Sequence, residues 1–134
     1  MLRRLIPILL LAAAPALAHH SFAAEFDASA PVLLQGKVTR VEWINPHVYI
    51  WLDVPDDRGR MTNWTVESVA PNYLLRLGWT KQSLKAGDTV VIRGFVAKGQ
   101  KGFAKTDTVT LPDGRSVTTG HALDAATGPS SNRR

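Results

Sequence analysis

From Val32 onward, apolar and polar positions alternate in short runs broken by Gly, Pro, Asn and Asp. That is the period of half-buried strands rather than of helices. The clearest run is His47 to Val54, with Val48, Ile50, Leu52 and Val54 on one face and His47, Tyr49, Trp51 and Asp53 on the other. Trp64 and Val66 repeat the pattern against Thr65 and Glu67, and Asp56-Asp57-Arg58-Gly59-Arg60 forms the polar turn between the two runs. The alternation predicts strands at 32–43, 47–54, 62–69, 89–97, 103–111 and 115–119, with Asp113-Gly114 as the last hairpin turn.

Two departures from this rhythm carry information. In the first run, Leu34, Gly36 and Val38 share one phase, whereas Val41 and Trp43 take the other. A slip of one residue predicts a β-bulge, which lets a long strand bend round a barrel corner. After the third run the period lengthens, and Ala70 to Gly78 fits a short helix with Pro71 in its first turn and Gly78 just past its end. Thr80 to Leu84 fits another turn. Three strands, a helix and then two or three strands is the order of an OB-like Greek-key barrel. The predicted fold is therefore all-β with one short helix, the barrel covering residues 32–122. The alternative is an immunoglobulin-like β-sandwich, which normally has about seven strands and no helix in the middle.

The start of the chain reads differently. Arg3 and Arg4 precede the uncharged stretch Leu5 to Ala18, which ends in the small-x-small pattern Ala16-Leu17-Ala18. Residues 1–18 are predicted to be a cleaved secretory signal, since the stretch is too short to span a bilayer and Pro7 and Pro15 interrupt it. Cleavage leaves a mature chain starting at His19, with no stable membrane anchor and a periplasmic or secreted location. Residues 19–31 are then an N-terminal extension, and the Gly-, Pro- and Ser-containing residues 123–134 a disordered tail. Removing Arg3 and Arg4 takes two charges from the formal +5, and the remaining ones are scattered, which argues against a nucleic-acid partner. With no Cys, thiolate metal sites, disulfides and Cys nucleophiles are excluded.

Several blocks carry a family resemblance. They are His19-His20-Ser21-Phe22, Glu25-Phe26-Asp27, Gly36-Lys37-Val38 leading to Trp43-Ile44-Asn45-Pro46-His47, Asn63-Trp64-x-Val66-Glu67, and Leu77-Gly78-Trp79 followed by Gly87-Asp88-x-Val90. Together they resemble a family of small exported bacterial proteins classed as a domain of unknown function, across nearly the whole mature chain. The layout is similar, more loosely, to the periplasmic bacterial OB-fold proteins, which implies a small non-enzymatic binding domain.

The candidate chemistry lies in the histidines and in one aromatic strand face. As the first residue of a mature chain, His19 would chelate a metal ion through its α-amine and its ring together. A ring nitrogen from another His would complete a histidine brace, and nitrogen donors favour Cu(II) among the divalent ions. This placement resembles copper carriers and copper oxygenases whose mature chains also start with His. His47 is the expected third ligand, His20 the fallback, and His121 is expected to lie in solvent near the tail. His47, Tyr49 and Trp51 form an aromatic ladder, with Trp43, Asn45 and Glu67 expected beside it. Such a face either binds a ligand or packs under Phe22 and Phe26. No nucleophile elbow, phosphate loop or carboxylate pair at defined spacing supports catalysis. The expectation is an exported non-enzymatic binding protein that takes Cu(II) or a small ligand. The alternative is a metal-free module whose aromatic face holds an envelope protein or saccharide.

Overall fold

The computed structural model describes residues 22–119. Their elements are α1 (Phe22–Glu25), β1 (Phe26–Trp43), β2 (Val48–Pro55), β3 (Met61–Glu67), α2 (Pro71–Arg76), β4 (Thr89–Ala97), β5 (Phe103–Thr110) and β6 (Ser116–Thr118). All six strands expected from the alternation are present. The predicted signal, His19, His20, His121 and the 123–134 tail lie outside the described residues.

The strands form one sheet in the order β3-β2-β1-β4-β5-β6, and a further pairing of β3 with β5 joins its ends. The first five strands thus close into the ring β1-β2-β3-β5-β4, while β6 pairs with β5 beyond it. Every pairing is antiparallel except the β3–β5 seam, which is parallel and only three register pairs long. This is the OB-like barrel order, and a single sheet closing on itself is not a two-sheet sandwich.

β1 makes the closure possible. Its stretch Pro31 to Lys37 pairs with β4, and its stretch Lys37 to Trp43 pairs with β2. The register with β2 slips between Val38 and Arg40, so Thr39 is the extra residue that the broken parity predicts. At the crossover the strands press together. A Cβ on Gly36 would meet the Asp53 carbonyl oxygen at 2.5 Å and Val54 Cγ2 at 2.9 Å, so only glycine fits.

Two features differ from the sequence expectation. β1 begins at Phe26 rather than at residue 32, because Phe26 pairs with Ala97 and its ring is buried. There is also a second helix, the single turn α1 before β1, where one was expected. Thr80 to Leu84 forms a turn closed by Ser83 N–H donating to the Thr80 carbonyl, not a helix.

Inside the ring, Val48, Ile50 and Leu52 of β2 pack with Leu34, Val38, Val66, Val90, Ile92, Ala104 and Val109, each at most 2 % exposed. Leu74, Trp79 and Leu84 from the β3–β4 connection join the same core. α2 stops where Gly78 turns to φ +84°, a left-handed conformation that lets Trp79 N–H donate back to the Leu74 carbonyl. Among the described residues, no helix is long and apolar enough to cross a membrane.

Candidate functional site

On the outside of the ring, strand register lines up two adjacent rows of side chains. One row is Tyr49, Glu67, Lys105 and Phe95, across β2, β3, β5 and β4. The next is Trp51, Thr65 and Phe103. Alternation turns the even positions of β2 inward, so the odd ones face out along these rows.

Glu67 sits at the centre with its side chain only 8 % exposed. Lys105 Nζ donates to Glu67 Oε1 at 2.5 Å and to the Ser68 carbonyl oxygen at 3.2 Å. A buried carboxylate needs such a partner, because the desolvation cost of an unpaired ion is several kcal/mol. Two more groups converge on the same carboxylate. The Tyr49 hydroxyl donates to Oε2 over a long 3.5 Å, and His47 Nδ1 lies 3.0 Å from Oε1.

The electrostatics fix the state of His47. Burial first, and then the Lys105 ammonium, hold its imidazole below the ordinary pKa of 6.5, against the opposing pull of Glu67 and Glu25. The ring is therefore neutral at pH 7. Two lone pairs would repel at 3.0 Å, so the proton sits on Nδ1, facing Glu67, and Nε2 keeps its lone pair. Burial, then the charge of Glu67 and the hydrogen bond to it, and lastly Glu25, push the Tyr49 phenol above its usual value, keeping it a neutral donor. Since the charge of Glu25 is felt by both groups, the turn α1 lies within electrostatic range of His47.

The two sides of the Glu67–Lys105 pair are furnished differently. Towards β4, Phe22 stacks on Phe26 at 5.5 Å between centroids and meets Phe95 edge-on at 5.5 Å, and Phe26 stacks on Phe103 at 6.0 Å. Lys105 Nζ lies 5.9 Å from the Phe26 ring centre. Towards β2, His47, Tyr49 and Trp51 follow one another at 6.4 and 6.0 Å, and the Arg40 guanidinium lies 3.8 Å over the Trp51 ring. These three rings remain half-buried.

Residues 8–105 match the model of a family of unknown function, DUF6152. The chain belongs to this family. The DUF6152 match runs from before α1 to Lys105, so it contains every group that converges on Glu67. No curated protein matches the chain.

Of the site residues expected from the sequence, the DUF6152 fold brings His47, Tyr49, Trp51 and Glu67 together. Trp43 pairs with Val48 on the inward phase and packs against the core instead. Asn45 is exposed in the β1–β2 loop, joined to Pro46 by a cis peptide bond. Among the described residues, no group of three or more His, Asp or Glu could hold a metal ion, and His47 supplies the one imidazole. Sequence reasoning missed Lys105 and Arg40. The available signal for Lys105 was a lone cation in mid-strand between Ala104 and Thr106, but its partner lies across the parallel seam.

Proposed function

We propose that this is an exported, non-enzymatic protein that binds Cu(II) at its mature N-terminus, with His19 giving amine and ring nitrogens and His47 giving a third. One observation carries the reading. His47 is a neutral imidazole whose Nδ1 faces a buried carboxylate, which leaves Nε2 with a lone pair to donate. A carboxylate behind a histidine is the usual way of fixing the tautomer and orientation of a metal ligand. The charge of Glu25, in the same helical turn as Phe22, is felt at His47. Phe22 is packed onto Phe26 and Phe95, and His19 is three residues before it, about 10 Å of chain at full extension. Nitrogen donors in tetragonal array select Cu(II). Carriage or buffering of the ion is the corresponding role.

The test is a Cu(II) titration of exported protein whose intact mass shows a start at His19, read by electron paramagnetic resonance. The expected result is a one-to-one site with nitrogen hyperfine structure, lost in His19→Ala and altered in His47→Ala. Weak or non-stoichiometric binding overturns the reading. A second reading has its own observation, the half-buried Tyr49 and Trp51 rings with Arg40 stacked above. In it the face holds an envelope protein or saccharide without metal. Tryptophan quenching by such a ligand, indifferent to His19→Ala, favours it.

A further inference from the structure

Where β1 passes from one neighbour to the other, it opens a notch in the outer wall of the barrel. Its pairing with β2 ends at Lys37 opposite Asp53, while Leu33 and Gln35 belong to the ladder with β4. β2 runs on to Pro55, which pairs with Met61 of β3 and meets no β1 residue in the register. The diverging strands leave an open groove of about 550 Å³, whose walls include Leu33 and Lys37 of β1, Asp53, Val54 and Pro55 of β2, and Met61 of β3. None of the groups that converge on Glu67 lines it.

The furnishing of this groove says what fits it. Met61 at 67 % and Leu33 at 59 % are the two most exposed large apolar side chains among the described residues, and both line this one groove. Apolar groups exposed together in this way mark a contact surface. The charges beside them come as one of each sign. Lys37 makes no ion pair among the described residues, although it stands opposite Asp53 in the register. Asp53 Oδ1 accepts instead from Asn63 Nδ2 at 3.0 Å, on the side of β3.

A surface that carries a cation and a carboxylate outside any ion pair, next to apolar side chains, is complementary to itself. Turned about a two-fold axis, a second copy sets its carboxylate against the first copy's cation, and its cation against the first copy's carboxylate. That is the pattern of an isologous contact. An acidic or a basic partner would be attracted at one of these groups and repelled at the other. The whole chain has a formal charge of +5, so two copies repel on average, whereas this face is neutral. We propose that the groove is the interface of a symmetric dimer of this chain. Lys37 of each copy faces Asp53 of the other, and the Leu33 and Met61 side chains of the two copies cover one another between these pairs. The inference stands whether or not the protein binds copper. A groove of this size supplies only part of the roughly 800 Å² per partner that a standard interface buries, so the dimer exchanges with monomer at about micromolar concentration.

The experiment is sedimentation velocity of the purified full chain from roughly 1 to 200 µM, a range that brackets such a dimer. The expected result is a mass that rises from monomer to dimer and stops there, because a two-fold contact closes on itself. Lys37→Glu alone, and Asp53→Lys alone, are each expected to weaken association at least about 10-fold, since each sets like charges together twice. An equimolar mixture of the two variants is expected to recover the dimer, because each then presents the sign that the other lacks. Leu33→Asn with Met61→Ser, both solvent-facing changes, weakens association without changing its salt dependence. Circular dichroism and melting confirm that every variant folds. Monomer at all concentrations, growth beyond the dimer, or full association by any single charge variant overturns the proposal. So does a mixture of the charge variants that stays monomeric, which would mean that Lys37 and Asp53 do not meet across a two-fold axis.

Discussion

The two halves of the outer face, divided by Glu67 and Lys105, are both aromatic, yet they are held in different ways. On the β4–β5 side, Phe22, Phe26, Phe95 and Phe103 satisfy one another, ring against ring. On the β2 side, Tyr49 and Trp51 lean on charged groups, a carboxylate at the phenol and a guanidinium over the indole. Rings packed chiefly against one another bury area and contribute stability. Rings held by charges at their margins stay ordered while part of their surface remains presentable. Among the described residues, Phe22 and Phe26 pack with Phe95 and Phe103 rather than on the His47 ladder.

The strongest way to break this division is Phe26→Ala. Phe26 is 3 % exposed, and its loss should cost about 3–5 kcal/mol in urea unfolding. Trp51→Ala, on the half-buried side, should cost clearly less; equal losses would show that the two halves are built alike. Next comes the boundary itself. Lys105→Met leaves Glu67 buried without its cation, and destabilises by about 3 kcal/mol. Adding Glu67→Gln to it should recover most of that loss, whereas an additive double variant would mean that the pair is not coupled.

Smaller effects sharpen the comparison. Arg40→Ala should remove about 0.5–1 kcal/mol and shift tryptophan emission to the red as Trp51 meets water. The smallest effect is expected at the β2–β3 turn, where Asp56 accepts from the backbone N–H groups of Arg60 and Arg58 and from the Arg60 side chain. These bonds, led by the Arg60 N–H, hold the carboxyl below its ordinary 3.8. Its contribution is present above the unfolded-state value and lost as pH falls through the lowered folded-state one. Protection of the amides at the tip of this hairpin, taken relative to their intrinsic exchange rate, should therefore fall in acid, and Asp56→Asn should flatten that dependence while leaving the phenylalanine side unchanged.

Much of the barrel was legible because its signals are local. The alternation in β2, the parity break at Thr39 and the Pro71 and Gly78 brackets of α2 each need only neighbouring residues. Phe26 was not read as strand because Pro31 interrupts the run, and pairing resumes only across a register shift. The site was legible by half. Tyr49 and Trp51 share one strand that His47 immediately precedes, and Glu67 sits on the next at the end of a hairpin. Lys105 reaches Glu67 only through the parallel seam, which joins residues 38 apart and has no local trace. Trp43 misled for the opposite reason: its nearness in sequence to the ladder hid the inward phase that the bulge gives it.

The 18-residue β1 carries one last consequence. Its two halves serve different neighbours, so the chain divides into two sequence-local meanders, β1-β2-β3 and β4-β5-β6, sewn together by the β1–β4 ladder and the short β3–β5 seam. The connection between them is exposed at Thr80, Lys81 and Gln82. A backbone break there would leave two fragments with complementary edges, each holding one partner of the Glu67–Lys105 pair. Reunion of those fragments would bring the carboxylate and the ammonium back together, making the barrel a natural two-piece reporter of proximity.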